Sequence, residues 1–184
     1  MILLRHGQSH FNLHFDATHE DPGIEDPQLT PHGHEQAAAA VAALATQPLT
    51  RIIVSPYTRA LETSEPIRAA RNLPLDILPE VRERAVFACD VGSAPTVLAG
   101  RFPQHEFGHL PQIWWHPGGE TAAETIARAA AFRVVMAARC DQATTLVVSH
   151  WAFFLALTGR ALGNGELFDY DPRSAPPRHL DWDA

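Results

Sequence analysis

Met1-Ile2-Leu3-Leu4-Arg5-His6-Gly7 opens with a short apolar run that ends on a guanidinium, an imidazole and a flexible backbone position. The pattern recurs along the chain. Arg51-Ile52-Ile53-Val54 runs into Ser55, with Arg59 close behind, and Thr144 to Val148 runs into Ser149-His150. Continuous apolar or β-branched runs of this length read as strands covered on both faces. In such sheets ligands bind at the carboxyl ends of the strands. Three strands ending in reactive side chains therefore place one candidate site at one edge of one sheet.

Helix signals fill the intervals. Thr30-Pro31 offers an N-cap followed by proline at the first helical position, and Ala37 to Ala45 favours helix until Gln47-Pro48. Ser55-Pro56 repeats that start for a helix over about 57–71, which Asn72-Leu73-Pro74 ends, and Leu75 to Leu78 is a further strand. Thr121 and Glu124 stand in capping-box spacing before a helix reaching about Arg139. A last helix is expected over about Trp151 to Leu162, closed by Gly163-Asn164-Gly165. Phe11 to Gln28 reads as a surface loop, with Asp-Pro breaks. Residues 85–119 read as a lid-like insertion with one short helix, and 171–184 as a loose tail. The expected architecture is one α/β domain over 1–184, a three-layer α/β/α sandwich around a mostly parallel sheet.

Composition narrows the function. At 184 residues the chain is long enough to bury about 70% of its unfolded surface. It carries a formal net charge of −7, the wrong sign for a nucleic-acid groove or an anionic membrane surface. All 14 basic residues are Arg, which excludes a Schiff-base or P-loop lysine and leaves the side chain that grips phosphate in a planar fork. Cys89 and Cys140 form no CxxC pair, are expected to be small buried residues, and fit a reducing cytoplasm. The N-terminus lacks the features of a secretory signal, and no apolar stretch approaches the roughly 18–20 residues of a membrane span.

A neutral histidine can attack phosphorus near pH 7, and a phosphoryl group in flight is stabilised by positioned positive charge. Arg5, Arg59 and His150 could supply that charge around His6. Arg5-His6-Gly7-Gln8-Ser9-His10-Phe11-Asn12 resembles the R-H-G-x-[ST]-x-x-N signature of the histidine phosphatase superfamily, the phosphoglycerate mutase-like fold. Leu29-Thr30-Pro31-His32-Gly33-His34-Glu35-Gln36-Ala37 is similar to that family's L-T-x-x-G-x-x-Q-A helix start. Ser55 to Thr63 resembles its S-x-x-x-R-A-x-x-T segment, and Val147-Val148-Ser149-His150 its second histidine strand.

The resemblance implies a metal-independent phosphatase acting on a small-molecule phosphate ester without a cofactor. His6 would become phosphohistidine. Arg5, Asn12, Arg59 and His150 would bind the phosphate, with Glu83 as general acid and Glu80 as its competitor. Two rivals stand beside it: phosphoglycerate mutase-type transfer, and a non-catalytic phospho-ligand module. The chain departs from the family's usual pattern after Glu83, where it reads Arg84-Ala85-Val86-Phe87-Ala88-Cys89, and after His150, where Trp151 replaces the frequent glycine.

Other readings remain open for several residues. Ser9 and Asn12 could cap a turn instead. His6, His10 and His14 have helical spacing, but the loop expected there and the lack of carboxylates argue against a metal. Trp114 and Trp115 read as a packing cluster or part of the lid, and Glu120 as a carboxylate at a helix start.

Overall fold

A computed structural model describes residues 1–182; Asp183 and Ala184, the end of the expected tail, lie outside the described residues. The strands are β1 (Ile2–Arg5), β2 (Arg51–Val54), β3 (Leu75–Ile77), β4 (Thr145–Ser149) and β5 (Leu167–Asp169). The α-helices are α1 (His10–Thr18), α2 (Pro31–Ala43), α3 (Thr58–Arg71), α4 (Pro95–Arg101), α5 (Ala122–Ala137) and α6 (Trp151–Thr158). The sheet order is β3-β2-β4-β1-β5, with β5 antiparallel to β1 and every other pairing parallel.

Strand alternation sorts the core into two layers. Ile2, Leu4, Ile52, Val54, Leu146 and Val148 share one cluster with Ala40, Leu44, Leu61 and Ile67 from α2 and α3. Leu3, Ile53 and Val147 share the other with Phe132 and Met136 of α5 and Phe153 and Leu157 of α6. The result is the expected three-layer α/β/α sandwich. No described helix is long and apolar enough to cross a membrane.

Register fixes the site. Leu4 and Val54 both pair with Val148, so Arg5-His6, Ser55 and Ser149-His150 emerge side by side.

Several expectations are corrected. Helix α1 lies inside the stretch read as a loop. Ser9 and Asn12 form a reciprocal capping box there, and Phe11 and Phe15, one turn apart, both pack on Phe87, at 5.4 and 5.1 Å. Helix α3 begins at Thr58 with Tyr57, not Ser55, at its N-cap. Its first amide and the Thr58 hydroxyl donate to Asp26, at 2.8 and 2.7 Å, a cap brought from a distant loop. Helix α6 stops at Gly159, whose φ of +77° gives the left-handed cap, well before Gly163. Strand β5 was not anticipated, and Cys140 is exposed, unlike the buried Cys89.

Within 85–119 the expected short helix is α4. Further on, Phe107, Leu110 and Trp114 join the core, where the Trp114 ring meets Tyr57 at 4.7 Å and its indole N–H donates to Ser93 O at 2.9 Å. In the C-terminal stretch, Trp182 packs 6.4 Å from Trp151 and beneath the Arg84 guanidinium.

Candidate active site

Residues 5–8 are held by hydrogen bonds and by close backbone contact. The His6 amide donates to Ser149 O and the Gly7 amide to Thr63 Oγ1, both at 3.0 Å. The start of α2 clasps the next peptide: Gln36 Oε1 accepts from the Gln8 amide at 2.7 Å, and Thr30 caps the Gly33 amide while donating to Gln8. A Cβ on Gly7 would lie 2.5 Å from Gly33 O, and one on Gly33 would lie 2.1 Å from Gln8 O. Only two glycines let these backbones touch. Across the loop, Asn164 donates to His6 O at 3.0 Å and the Gly165 amide to Arg5 O at 3.1 Å. The Gly163-Asn164-Gly165 stretch, expected to close a helix, therefore supports the histidine instead.

The His6 ring is buried, and Nδ1 lies 2.7 Å from Gly7 O. That carbonyl can only accept, so Nδ1 carries the proton and Nε2 keeps its lone pair. His150 is wholly buried, with its ring centroid 5.0 Å from that of His6. His150 Nε2 sits 2.7 Å from Ser55 Oγ, whereas Nδ1 is buried without a hydrogen-bond partner among the described residues. Burial, followed by the charges of Arg59 and Arg5, holds His6 well below its ordinary pKa. Burial and then Arg59 do the same for His150. Both rings are neutral at pH 7, so the positive charge around them comes from the arginines.

Arg59 is almost fully buried, and its guanidinium rests 4.3 Å from the Tyr57 ring centroid. It donates to Cys89 O at 2.8 Å and to Asp90 Oδ1 at 3.2 Å. Sequence reasoning missed Asp90. Two features pointed to it: a buried arginine needs a counter-charge, and Asp90 is the only acid between Glu83 and Glu106. Thr63 was quoted only as a motif residue and Ser55 only as a motif residue and helix cap, neither with a place in the site. Arg5 donates to Leu162 O at 2.7 Å, while its Nε is buried without a partner among the described residues.

The Asn12 side-chain oxygen accepts from the Ser9 amide at 3.0 Å and from Asn164 at 3.2 Å, so it caps α1 at the rim of the site. Glu83 sits at the N-terminus of α6, its Oε1 accepting from the Arg84, Ala152 and Phe153 amides at 2.8 to 3.2 Å. Burial and then the nearby Asp90 charge raise its pKa, while the amides and Arg59 act against the rise. Glu80 is exposed. His10 and His14 are exposed on α1, whereas His6 precedes that helix and is buried. Among the described residues, no three His, Cys, Asp or Glu side chains are grouped to hold a metal ion.

The chain is similar to several known proteins. A probable phosphatase of Schizosaccharomyces pombe is 29% identical over 113 residues, covering 58% of this chain but only about half (51%) of that protein. A 2,3-bisphosphoglycerate-dependent phosphoglycerate mutase of Beijerinckia indica is 31% identical over 160 residues, 82% of this chain and 74% of its own. A solved mycobacterial glucosyl-3-phosphoglycerate phosphatase with VO3 shares the fold, with a TM-score of 0.65 at 20% identity over 91% of this chain and 88% of that one. The family model described as histidine phosphatase superfamily (branch 1) matches residues 1–172. These matches support a phosphoric-monoester hydrolase, and the chain belongs to the histidine phosphatase superfamily.

Proposed function

We propose that this protein is a metal-independent phosphatase that hydrolyses a small phosphate monoester through a phosphohistidine on His6. The observation that carries the reading is the Nδ1 bond from His6 to Gly7 O, which presents a neutral Nε2 beside Arg5, Arg59 and His150. In this reading, Arg5 and Arg59 neutralise the phosphoryl oxygens, and the Asn12 amide nitrogen adds a donor at the rim. Binding a dianion raises the proton affinity of His150, since a neighbouring negative charge favours the imidazolium. His150 then becomes a charged donor only when substrate is present.

Nε2 of His6 bonds to phosphorus as the ester oxygen departs, and Glu83 gives that oxygen its proton. Water then attacks the phosphohistidine, passing a proton to the Glu83 carboxylate, and phosphate leaves with His6 restored. A carboxyl whose pKa is raised by burial suits both duties. The turn at 86–91, tied to Arg59, would meet the organic part of the ester.

The mutase relative supports a second reading, in which phosphohistidine returns its phosphoryl group to an organic acceptor. Turnover of para-nitrophenyl phosphate with EDTA present, wild type beside His6→Ala, tests the first. Free phosphate released by the wild type and lost in the folded variant is expected. An equally active His6→Ala variant, or inhibition by EDTA that Mg²⁺ reverses, would refute it. Transfer to an added phosphoglycerate without net phosphate release would select the mutase.

A further inference from the structure

Glu120 precedes α5, where its charge was expected to serve the helix dipole, but its contacts lie elsewhere. Its side chain is buried, and Arg128 grips both oxygens, Nε to Oε1 at 2.9 Å and Nη2 to Oε2 at 2.6 Å. Arg82 adds a third bond to Oε1 at 3.1 Å. A buried ion group of this kind is weak evidence for stability, since apolar residues of similar volume often serve as well. Its value lies in what it aligns.

What it aligns is the peptide that carries Glu83. Arg128 Nη1 donates to Arg82 O at 2.8 Å and to Glu80 O at 3.0 Å, and Nη2 reaches Glu83 O at 3.4 Å. Beyond Glu83, Arg84 Nε donates to Glu120 O at 3.0 Å and the Glu120 amide to Ala85 O at 2.8 Å. The chain from 80 to 85 is thus tied to one ion pair on both sides of Glu83. The Thr121–Glu124 capping box in turn anchors that pair to the first turn of α5. We propose that Glu120 and Arg128 are positioning residues: they hold the Glu83 peptide so that its carboxyl stays on the α6 amides and in reach of the departing oxygen. The inference rests on Glu83 being the proton donor of the proposed reaction.

A test that separates positioning from mere folding uses the leaving group. The value of kcat/KM covers steps through departure of the alcohol, and the need for a donated proton grows as that alcohol becomes less acidic. Wild type, Glu83→Gln and Glu120→Gln are compared on 2,4-dinitrophenyl, phenyl and alkyl phosphates, with inhibition by inorganic phosphate reporting the intact pocket. Glu120→Gln is expected to lower kcat/KM about tenfold or more on the alkyl ester and by less than about threefold on the dinitrophenyl ester, following Glu83→Gln. Phosphate inhibition should be unchanged. An equal loss on every ester, or no loss on any, overturns the proposal. If Glu120→Gln does not fold, Arg128→Lys, which keeps the charge but not the forked carbonyl contacts, is judged by the same outcomes. A wild type inactive on all three esters would instead sink the phosphatase reading, and this inference with it.

Discussion

Arg59 Nη2 meets Asp90 Oδ1 at 3.2 Å with the two side chains only 3% and 2% exposed. The other Asp90 oxygen accepts from the Val86 and Phe87 amides, so Arg59, proposed to bind the phosphate, and the turn beside it are one hydrogen-bonded unit. Replacing Asp90 with Ala strands a buried cation, and a loss of about 3–5 kcal/mol is expected. Urea unfolding of Asp90→Ala beside wild type checks this. A loss below about 1 kcal/mol would mean that Arg59 is neutralised by other groups.

The two site histidines make the fold sensitive to acid. Their pKa values are lowered in the native state by burial first, so below the ordinary value near 6.5 the unfolded chain binds protons that the native chain refuses. Their stabilising contribution is complete above that pH and is lost as pH falls, by about 1.4 kcal/mol per unit for each ring. Unfolding free energy measured between pH 7.5 and 5 should therefore fall less steeply for His150→Asn than for wild type. Equal slopes would mean that His150 titrates normally.

Glu83 has the opposite sign. Its raised pKa favours the protonated carboxyl in the native state, and the proposed acid works only in that form. The value of kcat/KM on an alkyl phosphate should decline as pH rises through a pKa above 4.5, and Glu83→Gln should abolish this limb with a loss of about 10²–10⁴ in rate. No acid limb near 6.5 is expected from His6, whose ring is already neutral there. A pH profile unchanged in Glu83→Gln would reject the assignment.

Trp114 tests the aromatic stretch. The ring is 4% exposed and wedged against Tyr57, so Trp114→Ala should cost about 3–5 kcal/mol through the cavity it leaves. Inhibition by phosphate should be preserved in the folded fraction. Weaker phosphate binding without a change in melting temperature would mark Trp114 as part of the site.

Local chemistry was readable and remote chemistry was not. Thr30 and the Thr121–Glu124 pair announce their helices because a cap lies within three residues of the amide it satisfies. Strands β1, β2 and β4 are apolar runs because helices cover both faces. Helix α1 escaped notice because Asn12 fills the place where a capping box usually carries Glu or Gln, and because its stabilising partner, Phe87, is far along the chain. Asp26 as the cap of α3 was hidden for the same reason. Strand β5 has three residues and only one neighbour, too little pattern to read. Within the candidate site, His6, Arg5, Arg59 and His150 follow from motif and strand end, whereas the pairing of Asp90 with Arg59 and the grip of Arg128 on Glu120 form only once the loops are folded.

The Gly7–Gly33 contact shapes which sequences this fold tolerates. Neither residue offers a side chain to any ligand, yet an added methyl on either strikes the backbone across from it, and backbone has nowhere to swing. In a survey of all single substitutions, these two positions should be as intolerant as His6 itself. A count of intolerant positions would then enrol both among the chemical groups, although what they supply is room.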